Sequence, residues 1–240
     1  MNNGTGNITA ILFDKDGTLL DFDATWAPAY RETSLYAARG DRTLAEKLLE
    51  QTGMDLATGK SAAGSLLAAG NSAEIAAAWI ACGADFQEGP LTADLDRAFI
   101  GCMHDAAPLP GIPEAVGALD GSGFTLGVAS SDSEAAIRAF LAGTGLAPRF
   151  AFVTGYDTGF GPKPEPGMVR GFAEATCLAT DRIAVVGDNT HDLEMARSAG
   201  AGLCIGVLTG TSARRDLEAL ADAVLNSVAD LPAYMAGAPA

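Results

Sequence analysis

From residue 113 onward the chain switches regularly between two hydrophobic periods, and this alternation restricts the fold more than any other feature. "FTLGVAS", "RFAFVTG", "RIAVVGD" and "GLCIGVL" are short, nearly continuous apolar runs, the pattern of strands buried on both faces. Between and around them, residues 113–121, "SEAAIRAFLAGTG", residues 165–178, "HDLEMARSAG" and residues 212–221 carry helical spacing. Strands that alternate with helices predict a parallel sheet with helices on both faces, an α/β doubly wound core. One more strand, Asn7 to Phe13, precedes a long interruption. There "ATWAPAYRETSLYAARG", "RTLAEKLLEQTG", "NSAEIAAAWIACGA" and "LTADLDRAFIGCMHDAA" all read as helices with polar or glycine ends. "PLPGIP" punctuates the return to the alternating pattern. The expected layout is a Rossmann-like core of residues 1–20 and 107–240 with an all-helical insertion over residues 21–106.

Ligands of open parallel sheets sit outside the carboxyl ends of the strands. Those ends are Asp14 and Asp16, Ser130 to Asp132, Thr154 and Gly155, and Gly187 with Asp188. Carboxylates gathered there repel one another unless a cation or a shared proton offsets the repulsion. Oxygen donors without His or Cys select a hard cation, and Mg²⁺ fits better than Ca²⁺ because no acidic loop of the D-x-[DN]-x-[DN]-G type is present. Asp14, Asp188 and Asp192 are the candidate ligands, with Asp16 beside them. An Asp next to such an ion can attack a phosphoryl group, and a second acid two residues later can protonate the leaving oxygen. Gly17 and Thr18 suit a tight anion-facing turn, and Ser130 and Ser131 offer hydroxyls and helix-start amides. Lys163, one of four lysines, lies between prolines in "GPKPEP", where a fixed cation would meet transition-state charge.

The formal charge of −15 argues against nucleic acid and anionic membranes as partners. The four cysteines form no C-x-x-C pair and no zinc-ligand spacing with His104 or His191. The first ten residues lack the basic and apolar regions of a secretory signal, and no apolar run is long enough for a membrane span. A cytoplasmic setting is the expectation. Oligomeric state leaves no signal.

Taken in order, "ILFDKDGTL", "GVASSD", "GPKPEP" and "VVGDNTHD" resemble the four motifs of the haloacid dehalogenase superfamily, and the whole chain is most similar to phosphoglycolate-phosphatase-like hydrolases with a helical cap. The resemblance implies Asp14 as nucleophile, Asp16 as general acid and base, Ser130 as phosphate ligand, Lys163 as stabilising cation and Asp188 as Mg²⁺ ligand. Asp192 would be a further ligand or its supporting partner. Dehalogenating members lack the second aspartate of the first motif, so Asp16 favours phosphoryl transfer. The implied function is Mg²⁺-dependent hydrolysis of a small phosphorylated metabolite, a phosphoglycolate-like phosphomonoester, through an aspartyl phosphate.

Simpler readings compete for several of these residues. Ser130 or Ser131 would serve as an N-cap, Asp192 as a helix-capping residue, and Asp21 and Asp23 as the solvated start of the insertion. "GMDLATGKS" is one residue too long between its glycines for a phosphate-binding loop and follows a helix. His191 is expected in a loop near the site. Lys60, with Ser61 in a glycine-rich loop of the insertion, is a candidate substrate contact, since an acidic protein must offer an anionic substrate some cation. Phosphomutase and phosphonatase chemistry use the same core, and the latter needs a lysine from the insertion, Lys47 or Lys60. A phosphoacceptor receiver domain and an inactive binding protein are the readings outside enzymology.

Overall fold

A computed structural model describes residues 5–103 and 106–237. His104 lies outside the described residues. Six parallel strands form one sheet in the order β3-β2-β1-β4-β5-β6: β1 (Ala10–Phe13), β2 (Thr125–Ala129), β3 (Phe150–Thr154), β4 (Ile183–Gly187), β5 (Leu203–Val207) and β6 (Ala223–Leu225). β1 occupies the middle, with Phe13 paired to Val128 of β2 and to Val186 of β4. The strand order reverses beside β1, so the carboxyl end of β1 opens on the crevice where such sheets bind ligands.

Alternation along the central strand divides the interior into two layers. Ile11 and Phe13 face the layer that holds α6 (Ile112–Gly121), α7 (Glu134–Gly143) and α11 (Leu231–Met235). Ala10 and Leu12 face α8 (Gly167–Thr176), α9 (Thr190–Ala199) and α10 (Arg214–Glu218). The doubly wound expectation therefore holds. Strand β6 was not anticipated, because three residues at a half-buried edge give too short a period to read.

Among the described residues, five helices lie between β1 and α6: α1 (Phe22–Ala37), α2 (Arg42–Thr52), α3 (Leu66–Ala69), α4 (Ser72–Cys82) and α5 (Glu88–Met103). Their starts are written in short polar side chains, Asp21 accepting from the Ala24 amide and Asp41 from those of Thr43 and Leu44. Asn71 and Glu74 form a reciprocal capping box at α4. Gly53 ends α2 in the left-handed conformation at φ 110°. A single bridge between Met54 and Ser61 ties the loop after α2, with no strand in this block among the described residues. Inside it Trp26 stacks on Tyr30 with centroids 5.5 Å apart, and Phe99 meets both edge-on. This packing continues into the α6/α7 layer, because α5 lies on α7.

The two segments that join the helical block to the sheet lie side by side. The Leu109 amide donates to the Leu19 carbonyl at 2.9 Å, and Leu20 bridges Pro108. No helix among the described residues is long and apolar enough to cross a membrane.

Candidate active site

The turn after β1 is shaped by Gly17, whose φ of 82° suits glycine. A Cβ there would stand 2.8 Å from the Asp188 carboxyl group, so the close approach of this turn to β4 also requires glycine. The turn begins with the Asp14 amide still bonded to the Val186 carbonyl at 2.8 Å, which fixes the Asp14 side chain at the sheet edge. Asp14 and Asp16 then take different partners.

Asp14 Oδ1 accepts from Lys163 Nζ at 2.6 Å, and the same ammonium reaches Asp192 Oδ1 at 2.5 Å. The second oxygen of Asp192 accepts from the Asn189 amide at 3.1 Å, so Asp192 caps α9 while facing the site. Asp188 takes the Thr211 amide at 2.9 Å and, more loosely, the Thr18 hydroxyl at 3.4 Å. Asp14, Asp188 and Asp192 are all buried and each offers an oxygen within 4.8 Å of the others. Three carboxylates thus crowd together, and two of them, Asp14 and Asp192, share one ammonium. Burial, joined by Asp192 and Asp16 and opposed by Lys163, pushes the Asp14 carboxyl up to about 7. Burial also drives Asp188 well above the usual carboxylate range, with the charges of Asp14 and Asp192 adding to it.

A divalent cation fits this arrangement on two counts. The donors are oxygens alone, and Asp14 Oδ2 is buried without a partner, a costly condition that a cation would relieve. Asp16 is not part of the triad. Its Oδ1 accepts from Trp26 Nε1 at 2.6 Å and from Lys15 Nζ at 2.8 Å, and its Oδ2 accepts from Ser130 Oγ at 3.1 Å. Ser130 therefore points at the acid, while its own Oγ also accepts from the Asp132 amide at 3.1 Å. Ser131 lines the crevice, but Ser133 rather than either serine caps α7. His191 also lines it, from the first turn of α9 and not from a loop.

The sequence reading passed over Lys15, which is fully buried. Its ammonium bridges Asp16 and Asp132, at 2.8 and 3.0 Å, touches Met103 Sδ at 3.3 Å and lies 5.1 Å from the Trp26 ring centre. The signal was a lysine between two aspartates at the end of an apolar strand, where no solvated side chain has room. Asp132 is held up at about 6, chiefly by burial against the opposing pull of Lys15. Trp26 was equally hidden, since an aromatic on a helical face reads as core. Lys60 lies elsewhere, exposed, with its Nζ 3.9 Å from Asp23, and it does not line the crevice.

A family profile described as "haloacid dehalogenase-like hydrolase" matches residues 8–200. The chain belongs to that family. As a haloacid dehalogenase-like hydrolase it carries its acidic triad and lysine on the ends of β1 and β4, the start of α9 and the loop after β3. Among curated relatives it is 41% identical over 112 residues to the "Probable phosphatase IndB" of Dickeya dadantii, covering 46% of this chain and 47% of that one. It is 35% identical over 98 residues to a phosphoglycolate phosphatase of Rhodospirillum rubrum, covering 41% of each chain. These matches span less than half the length of either relative. The crystal structure of CbbY from Rhodobacter sphaeroides in complex with phosphate superposes with a TM-score of 0.71 at 24% identity, over 93% of this chain and 96% of that one. The same protein in complex with xylulose-(1,5)bisphosphate gives 0.71 at 25% identity, over the same shares of the two chains.

Proposed function

We propose that this hydrolase is a Mg²⁺-dependent phosphomonoesterase of a small phosphorylated metabolite, working through an aspartyl phosphate on Asp14. The observation that carries the reading is that two carboxylates of one turn sit in different environments. Asp14 sits with Lys163 and two further aspartates, whereas Asp16 sits two residues away against Ser130 and Trp26. A nucleophile and a proton donor on either side of one phosphoryl group is what the reaction needs.

In the first step an Asp14 oxygen forms a bond to phosphorus as the bond to the leaving oxygen breaks, and Asp16 gives that oxygen its proton. In the second, Asp16 takes a proton from water, whose oxygen attacks phosphorus and returns Asp14 as a free carboxylate with release of inorganic phosphate. Lys163 holds negative charge on the phosphoryl oxygens, and Ser130 keeps Asp16 oriented and offers its hydroxyl to phosphate. Asp14, Asp188 and Asp192 would hold Mg²⁺, which supplies charge neutralisation for the incoming phosphate.

Named phosphatases among the relatives support phosphate ester hydrolysis over other uses of the fold. Phosphonatase chemistry is disfavoured by the two lysines of the helical block, Lys47 donating to the Cys82 carbonyl and Lys60 lying near Asp23, neither in the crevice. The test is phosphate release from an aryl phosphate with Mg²⁺, joined to acid-quench trapping of phosphoprotein. Asp14→Asn is expected to lose roughly 10⁴-fold or more in kcat and to trap no phosphate. Retained turnover in that variant sinks the reading.

A further inference from the structure

The crevice has one wall that the phosphoryl chemistry does not use, and that wall faces the part of the substrate that leaves. A general acid must lie within hydrogen-bond reach of the leaving oxygen. Asp16 Oδ1 is 2.6 Å from Trp26 Nε1 in the helical block, so the leaving group emerges beside Trp26. Around Trp26 the wall consists of Phe22, Tyr30, Ala68, Ser72 and Phe99 with their apolar neighbours, and among the described residues it contributes no charged side chain to the crevice.

The nearby lysines are already committed, and His191 lines the crevice from the sheet edge, at the start of α9. Lys163 is held between Asp14 and Asp192, Lys15 is fully buried between Asp16 and Asp132, and Lys60 stands outside the crevice. The polar atoms of the wall are mostly occupied as well. Tyr30 donates to the Leu67 carbonyl at 2.8 Å and Trp26 to Asp16, which leaves the Ser72 hydroxyl as the uncommitted side-chain group among its described residues. A carboxylate or second phosphate here would lose its hydration against aromatic rings and face Asp16 and Asp132, whose one neighbouring ammonium, Lys15, is already paired to both.

Resting on the phosphomonoesterase reading, we propose that the substrate is a phosphomonoester whose leaving alcohol is uncharged and turns an apolar or aromatic face to Trp26 and Tyr30, with a polar group for Ser72. Metabolites with a carboxylate or a second phosphate next to the scissile ester are the ones this wall rejects.

Two matched pairs test it on the full chain with Mg²⁺: phenyl phosphate against 4-carboxyphenyl phosphate, and ethyl phosphate against phosphoglycolate. In each pair the uncharged ester is expected to have kcat/KM higher by ~30-fold or more. Ala68→Lys, which places a cation in the wall, is expected to narrow both ratios about ten-fold. Ratios near one, a preference for the carboxylates, or ratios that Ala68→Lys does not move overturn the proposal while leaving a phosphomonoesterase. Phosphate release from all four compounds no faster than that by Asp14→Asn overturns the phosphomonoesterase reading and this proposal with it.

Discussion

The two walls of the crevice solve opposite problems with opposite materials. The sheet edge concentrates charge, with Asp14, Asp188 and Asp192 clustered and Lys163 paired to the first and last of them. The helical wall is neutral and aromatic, with Trp26, Tyr30 and Phe99 packed on one another. Buried charge is held where chemistry needs it and is not repeated where the rest of a substrate would lie. Asp16 belongs to both, since Ser130 and Lys15 hold it from the core and Trp26 from the helices.

The largest effect short of removing the nucleophile is expected at the joint between the walls. Lys15→Met leaves Asp16 and Asp132 without their shared counter-charge and is expected to cost about 3–5 kcal/mol of stability in denaturant titration. Adding Asp132→Asn should recover part of that loss. If the single variant melts like the parent, Lys15 does not bind the two walls together.

The charged wall alone predicts a pH effect without metal. Because burial raises the Asp14 carboxyl from 3.8 to about 7, the folded state binds a proton that the unfolded chain has lost. The metal-free protein should therefore be most stable below about pH 4 with respect to this group and lose that contribution as pH rises through 7. Thermal melts in chelator across that range should show the decline, and added Mg²⁺ should oppose it at pH 7 to 8. Melts that are flat with pH, or insensitive to Mg²⁺, break the account of the triad.

The neutral wall is probed by Trp26→Phe, which keeps the ring but removes the donor to Asp16. Loss of one hydrogen bond to a charged group predicts about 1.5–3 kcal/mol less stability in denaturant titration and a kcat lower by roughly ten-fold. The smallest effect is expected at Lys60→Ala, a change in kcat/KM of under about two-fold, as for a mostly solvated ion pair. A larger loss would bring the glycine-rich loop back into the substrate site.

The strand and helix alternation and the aspartates at strand ends were legible because each is a local pattern. A period of two or 3.6 and a carboxylate after an apolar run both survive reading along the chain. Strand β6 was too short for any period, and the residue that caps α7 is Ser133, two residues beyond the Ser130–Ser131 pair. For Lys15 the sequence shows burial but not its partners, and for Trp26 it shows neither. Their roles come from contacts with Asp132 and Asp16 that join residues distant in sequence, and a lysine or tryptophan by itself reports nothing of them. Lys60 is the reverse case: a lone cation in an acidic chain reads as functional, and the structure shows it exposed near Asp23 and outside the lining of the crevice.

The pairing of Leu19 and Leu20 with Leu109 and Pro108 has a consequence for how such a chain can change over time. The helical segment departs and returns at neighbouring points, so it can lengthen, shorten or be exchanged without altering the order of a single strand. Its near stem is also the turn that begins at Asp14, where the Gly17 amide donates to the Leu20 carbonyl at 2.9 Å. Any tilt of the helices is thus delivered to the reacting residues through a lever only a few residues long.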